Sequence, residues 1–221
     1  MSTHHRGVIN TTPFICGLLS GALLASVGCR RADTSHDHII SQILAHRDKV
    51  DSSFRFDPES PFASDTNIHF DGLKWFPPDV SYYFESKLYQ NAKPETITVY
   101  GTKGEPRIML KYGHFMLEFE GKLHKLHVYK FTQDDPEQYA LYRNQLSVWF
   151  TDETTGKETY EVGRYVDVGE ENPDSGFIYA VNLNNAYNPY CAYSSIYTCA
   201  IPTKDDHLSF PVRAGEMKYH P

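Results

Sequence analysis

The residues best suited to chemistry crowd into one stretch, Asn182-Leu183-Asn184-Asn185-Ala186-Tyr187-Asn188-Pro189-Tyr190-Cys191-Ala192-Tyr193, closed by Cys199. Amides, phenols, a proline and a thiol in such density are too polar and turn-prone for a strand or helix interior, so the stretch reads as an ordered loop. Asn184, Tyr187, Asn188 and Tyr193 could converge there on a small polar ligand without supplying charge of their own. The same amides could instead brace turns, Asn188 before Pro189 being suited to turn initiation. Arg164 lies between Gly163 and Tyr165. Its planar fork could clamp a carboxylate, a phosphate or the carbonyls of the Asn-rich loop, with Tyr165 alongside; the internal alternative is an ion pair with Asp167 or Glu216.

Cys191 and Cys199 admit three chemistries, beside the inert alternative of free buried thiols. A disulfide would close a loop of about nine residues and stabilise by roughly 2–3 kcal/mol through loss of chain entropy. A thiolate nucleophile would need a histidine beside it, and His114, His127 and His207 are the candidates. A metal site would need two further soft ligands, which no motif provides. His124 and His127 are three apart on strand-like sequence, so their rings should point to opposite faces and cannot share an ion. No metal and no cofactor is implied, and phosphate-loop, dinucleotide and Gly-x-Ser-x-Gly fingerprints are absent from the sequence. A net charge of -7 without a basic cluster argues against nucleic acid as partner.

The elements that must position these residues follow from periodicity. Ile39, Ile40, Ile43, Leu44 and Val50 recur at helical spacing, so residues 38–50 predict one amphipathic helix capped by Ser35 or Asp37. A proline-punctuated stretch with Pro58, Pro61, Pro77 and Pro78 follows as extended chain with turns. From Val80 the period becomes two: Tyr82/Phe84, Ile97/Val99, Ile108/Leu110/Tyr112, Phe115/Leu117/Phe119, Leu126/Val128, Leu146/Val148/Phe150, then Phe177 to Leu183, and last Leu208/Phe210/Val212. Residues 134–145 suit a short helical turn or loop, and the acidic pair Glu170-Glu171 a solvated one. The short spacings leave no room for crossover helices, so the fold class is mainly β: an antiparallel barrel or sandwich with one amino-terminal helix.

At the amino terminus, Pro13 to Gly28 is an uncharged run of apolar and small residues after Arg6, too short to span a membrane and ending in Cys29. Residues 1–29 therefore predict a signal peptide with a lipobox-like end, although Ser26 stands where that pattern prefers Leu; a plain signal peptide and an uncleaved anchor are the alternatives. Cys29 would carry lipid, residues 30–37 would be a tether, and residues 38–221 a single β-rich domain. Arg6 is the only charged residue lost with the signal, which takes the net charge from -7 to -8. Cys16 leaves too, so Cys191 and Cys199 remain as an even pair in an oxidising space.

Gly156-Lys157-Glu158-Thr159-Tyr160-Glu161-Val162-Gly163-Arg164-Tyr165-Val166-Asp167, the Asn-Ala-Tyr-Asn-Pro-Tyr-Cys-Ala-Tyr stretch, Cys199 and Ala214-Gly215-Glu216 together form an ordered set of motifs. The set resembles a prokaryotic family catalogued as domain of unknown function 1684, over residues 38–219. The resemblance implies no activity; members are often lipoproteins. Two departures stand out: Asn182 replaces an Asp, and Thr203-Lys204-Asp205-Asp206 replaces a Pro-rich run with Glu-Asn. If that Asp is catalytic in relatives, this member is inactive.

Two function classes follow. One is a cell-envelope lipoprotein, facing the periplasm or the exterior, whose β domain binds a small polar ligand or an envelope protein through Arg164, Tyr165, Asn184, Tyr187, Asn188 and Tyr193. The other is a hydrolase or transferase using Cys191 or Tyr187, with Arg164 holding an anionic substrate. The binding reading places Arg164 within reach of the 184–191 loop beside a cavity lined by Tyr187 or Tyr193. Arg164→Lys would then abolish binding while lowering stability modestly. Replacing Cys29 by Ala is expected to move the mature protein from the membrane to the soluble envelope fraction; a wild-type protein that carries no lipid and fractionates as soluble refutes the anchor.

Overall fold

The computed structural model describes residues 34–220. The signal, Cys29 and the first part of the expected tether lie outside that range. Helix α1 spans Thr34–Phe56, longer at both ends than the periodicity predicts. Residues 34–37, expected in the tether, are its first turn. At the other end the polar run Asp51-Ser52-Ser53 hides a continuing stripe: Ile43 and Arg47 are buried, and Val50 and Phe54 are half-buried. The helix stops two residues before Pro58, whose ring disfavours helical backbone at the preceding residue. A one-turn helix, α2 (Pro61–Ser64), follows, with the Ser60 hydroxyl accepting from the Phe62 amide.

Eight strands come next: β1 (Tyr83–Lys87), β2 (Tyr89–Tyr100), β3 (Pro106–Phe119), β4 (Lys122–Phe131), β5 (Gln145–Asp152), β6 (Arg164–Glu170), β7 (Ile178–Asn182) and β8 (His207–Leu208). Helix α3 (Pro136–Tyr142) joins β4 to β5, with Asp135 as its cap. Strands β2-β3-β4-β5-β6 form one antiparallel sheet in that order, and β1 pairs with β7 in a second. The sheets do not close on themselves, so of the two expected forms the fold is a sandwich rather than a barrel. Phe84, Tyr179 and Val181 from the small sheet meet Phe115, Leu117, Leu126, Val128, Val148 and Phe150 from the large one in a dry core.

The large sheet is covered on its other face as well. Val99, Met109, Tyr129, Trp149 and Ala200 make a second buried cluster there, with the Tyr129 and Trp149 rings stacked at 4.7 Å. Alternation could not show this, because β3 carries a bulge between Lys111 and Gly113 that swaps its faces. Met109 therefore lies in the second cluster although Phe115 and Leu117, of the same parity, lie in the first.

The carboxy-terminal segment departs most from expectation. Strand β8 is two residues long and pairs in parallel with β5, Thr151 opposite His207 and Asp152 opposite Leu208. Phe210, Val212 and Ala214 are buried in the main core beyond it, in irregular chain that bends at 209–210 and 214–215. Gly215 (φ +77°) passes so close to the 183–186 turn that a Cβ there would meet the Ala186 carbonyl oxygen at 2.5 Å.

Candidate functional site

The Asn-rich loop is held from within. Asn182 caps a 3-10 turn, Leu183–Asn185, by accepting from the Asn184 amide. The Asn184 carboxamide clamps Asp79 at both ends, accepting from its N–H and donating to its C=O, each at 2.8 Å. Both bonds to the Asn182 oxygen use it as an acceptor, a role that an Asp fills equally, so the departure at 182 leaves the turn intact. Tyr187 exchanges two backbone hydrogen bonds with Tyr165, each 2.9 Å, and so extends the large sheet one rung past β6. Burial pushes the Tyr187 phenol up, away from use as a nucleophile at neutral pH. The Asn188 amide nitrogen reaches the Met217 carbonyl at 2.9 Å.

Arg164 has no exposed surface. One terminal nitrogen donates to the carbonyls of Ala214 and Glu216, the other to the Asp152 carboxylate (3.0 Å) and the Val212 carbonyl (2.8 Å). The guanidinium thus reads the backbone of 212–216 as a neighbouring strand would, and it does not touch the 184–191 loop. Its ion-pair partner is Asp152, from the adjoining strand β5, rather than Asp167 or the Glu216 carboxylate. Asp167 sits three residues along β6 and therefore on the opposite face. Burial lowers the Arg164 pKa, opposed by Asp152. A ligand approaching from solvent meets no part of this side chain.

Glu216 carries the link onward. Its carboxyl is buried, accepts from the Asn188 N–H and receives the Tyr193 hydroxyl at 2.7 and 2.9 Å. Burial pushes this carboxyl up to about 8, against the pull of those donors and of Arg164.

Tyr193 and Cys191 border an open, polar cleft of about 480 Å³, together with Tyr160, Glu161, Lys218 and His220. A volume of that order suits a small ligand. Cys191 is half-buried, and Cys199 behind it is 8% exposed. Both are free thiols, the Cys191 N–H donating to the Cys199 sulfur at 3.2 Å. The Tyr160 hydroxyl lies 3.7 Å from the Cys191 sulfur. A hydrogen bond from Cys199, then one from Tyr160, hold Cys191 down at about 7 against burial. The histidines expected to serve it are elsewhere: His207 meets Thr151, His114 stacks on Tyr89, and His127 faces Asp206. His124 packs against Phe210 on the other side of β4.

Of the sequence-derived set, only Tyr193 and Cys191 reach the cleft; Arg164, Asn184 and Asn188 brace the fold. Glu171, expected in solvent, accepts from Lys130, Tyr112 and Gln90. Tyr160, Lys218 and His220 were missed as site residues, although Tyr160 belongs to the quoted 156–167 motif. Asp152 carried no signal beyond its strand parity with Phe150.

A family model described as "Protein of unknown function (DUF1684)" matches residues 68–217. The solution NMR structure of an uncharacterized protein of Haloarcula marismortui is similar, at 28% identity and a TM-score of 0.60, covering 84% of this chain and 97% of that one. No curated protein matches.

Arg164→Lys is expected to lower unfolding free energy by about 3–5 kcal/mol in denaturant melts, since a single ammonium cannot serve Asp152 and three carbonyls. A midpoint unchanged from wild type would refute the bracing role. Glu216 makes a second prediction. Its carboxyl is raised to about 8 in the fold from an ordinary 4.5. Between those values the unfolded chain releases a proton that the folded chain keeps, so raising pH favours unfolding. Thermal melts at pH 5 and pH 8 should therefore show a loss of stability that Glu216→Gln largely removes; an equal loss in both proteins refutes it.

Proposed function

The chain belongs to the family of proteins of unknown function DUF1684, and from that premise we propose that it is an exported cell-envelope lipoprotein whose β-rich domain, residues 38–221, binds a small polar ligand in the cleft beside Cys191. The observation that carries this reading is the cleft itself: Tyr160, Lys218 and His220 bring a phenol, an ammonium and an imidazole to one mouth, over a floor where Tyr193 is braced by Glu216. Concave sites with a few fixed polar groups are where small ligands bind. The anchor at Cys29 rests on the lipobox-like sequence.

A hydrolase or transferase acting through Cys191 is supported by one observation, the thiol held near 7. It lacks a histidine on the sulfur and an exposed arginine for the substrate, so binding is the better reading.

Titrating isotope-labelled protein with inorganic phosphate, acetate, L-glutamate or glucose in turn is expected to move the amide signals of 191–195 and 218–220 together, saturably, with at least one probe. Lys218→Ala should weaken that response. Shifts confined to other parts of the chain with every probe would overturn the assignment.

A further inference from the structure

A buried, a half-buried and an irregular element meet at Cys191 in a way that ligand binding does not use. Cys191 sits in a 3-10 turn, Tyr190–Ala192, while Cys199 is held by the β2–β3 connection. There the Thr102 N–H donates to the Cys199 carbonyl at 3.0 Å, Gly101 bridges Ala200, and the Ile201 N–H reaches Tyr100 at 2.9 Å. The Cys191 N–H donates to the Cys199 sulfur at 3.2 Å, so separate backbone anchors set the two residues side by side and no covalent bond is needed to hold them adjacent.

We propose that Cys191 and Cys199 form a redox-active dithiol that exchanges with small, carboxylate-bearing disulfides entering the cleft, Cys191 attacking and Cys199 resolving. The substrate class rests on the cleft reading above, through Lys218 and His220; the exchange itself rests on the sulfur pair alone.

The chemistry suits what is present and what is absent. Acyl transfer by a thiol needs a base bonded to the sulfur and an orienting group; the imidazole of His220 in the cleft meets the Tyr193 carbonyl, at 3.5 Å, and the other candidate histidines lie elsewhere. Thiol–disulfide exchange needs a thiolate, an accessible path and a second thiol. The Cys191 thiolate attacks one sulfur of R–S–S–R, forming Cys191–S–S–R and expelling one thiolate, RS⁻, which takes up a proton. The Cys199 thiol then gives up its proton and attacks the Cys191 sulfur, closing Cys191–S–S–Cys199 and expelling the second RS⁻. The protein loses two protons and two electrons; the small disulfide gains them as two RSH. The asymmetry of the pair sets the order. Cys199's hydrogen bond to Cys191, together with burial, pushes the Cys199 thiol far up, so it stays protonated while Cys191 is a thiolate. Once Cys191 is in the mixed disulfide that hydrogen bond has no thiolate to serve, and Cys199 is freed to react.

The test uses the full reduced chain carrying Cys16→Ser and Cys29→Ser, which leaves Cys191 and Cys199 as its thiols, and glutathione disulfide under inert gas, followed by intact and peptide mass spectrometry. The expected result is loss of two hydrogens with the bond mapped to Cys191–Cys199. Cys199→Ser should stop with one glutathione on Cys191, and Cys191→Ser should stay unmodified over the same time. Should the serine variants fold poorly, iodoacetamide on reduced wild type decides instead: Cys191 is expected to label several-fold faster than Cys199, and equal labelling overturns the proposal. So does retention of both thiols, or reaction of Cys191→Ser at the wild-type rate. Hydroxyethyl disulfide, which is uncharged, separates the two layers. If it reacts as fast as glutathione disulfide, and Lys218→Ala/His220→Ala slows neither, the substrate class falls with the cleft reading and the exchange stands. If neither disulfide reacts, the exchange falls and the cleft reading stands.

Discussion

The buried ion pair of Arg164 and Asp152 is the interaction on which the rest of the molecule depends. The segment 210–216 alternates like a strand and buries Phe210, Val212 and Ala214 in the main core, yet it reaches a ladder neighbour only at its end, where Glu216 bridges Trp75. The Pro211 and Gly215 carbonyls take the Tyr82 hydroxyl and the Phe76 N–H, but those of Val212, Ala214 and Glu216 would lose their donors without Arg164, at a cost of about 1–3 kcal/mol each. Arg164 supplies the missing donors from β6, and Asp152 supplies both the countercharge and an acceptor for the Val212 N–H at 3.1 Å. Desolvating an isolated guanidinium there would be prohibitive; paired with Asp152 and engaged through both terminal nitrogens, with Nε left unpartnered, it becomes the substitute for a strand.

The same solution appears a second time at the helix. Arg47 of α1 is 7% exposed and donates to the carbonyls of Phe76 (2.8 Å) and Asn184 (3.3 Å), with its guanidinium 4.9 Å from the Trp75 ring. Two irregular stretches, 74–79 and 182–188, are thereby pinned between α1 and the carboxy-terminal segment. Phe54 and Phe62 complete the join, their ring centroids 5.3 and 5.4 Å from that of Tyr193. A loop rich in backbone polar groups can be buried only where arginines, amides and a carboxyl account for those groups one by one.

The sequence made the two-residue period, the amino-terminal helix and the importance of the 182–199 region legible, because these depend on local spacing. What it hid depends on contacts between distant residues. The partner of Arg164 shows the difference. The rule that sets His124 and His127 on opposite faces of β4 also removes Asp167 from Arg164's side of β6, so one of its two expected partners was excluded by parity alone. Asp152 becomes the partner only once β5 and β6 are paired with Phe150 opposite Arg164. The parallel pairing of β8 and the bulge in β3 were likewise invisible, since neither disturbs the local alternation enough to be read.

This division also decides where function can reside. Asn184, Asn188 and Arg164 drew attention through their chemistry, but their hydrogen-bonding capacity is directed inward, and a group engaged with the backbone is poorly placed to recognise a ligand as well. The side chains left facing the cleft are fewer and more reactive: a half-buried thiol, a phenol beside it, an ammonium and an imidazole. Rigid support behind them comes from the network that consumes the amides, through Glu216 and the Tyr193 hydroxyl. A site of this kind needs its structural residues to be polar because its walls are loops rather than strands. The density of polar residues in the sequence therefore marks the scaffold, while the cysteine pair within it is where the proposed chemistry lies.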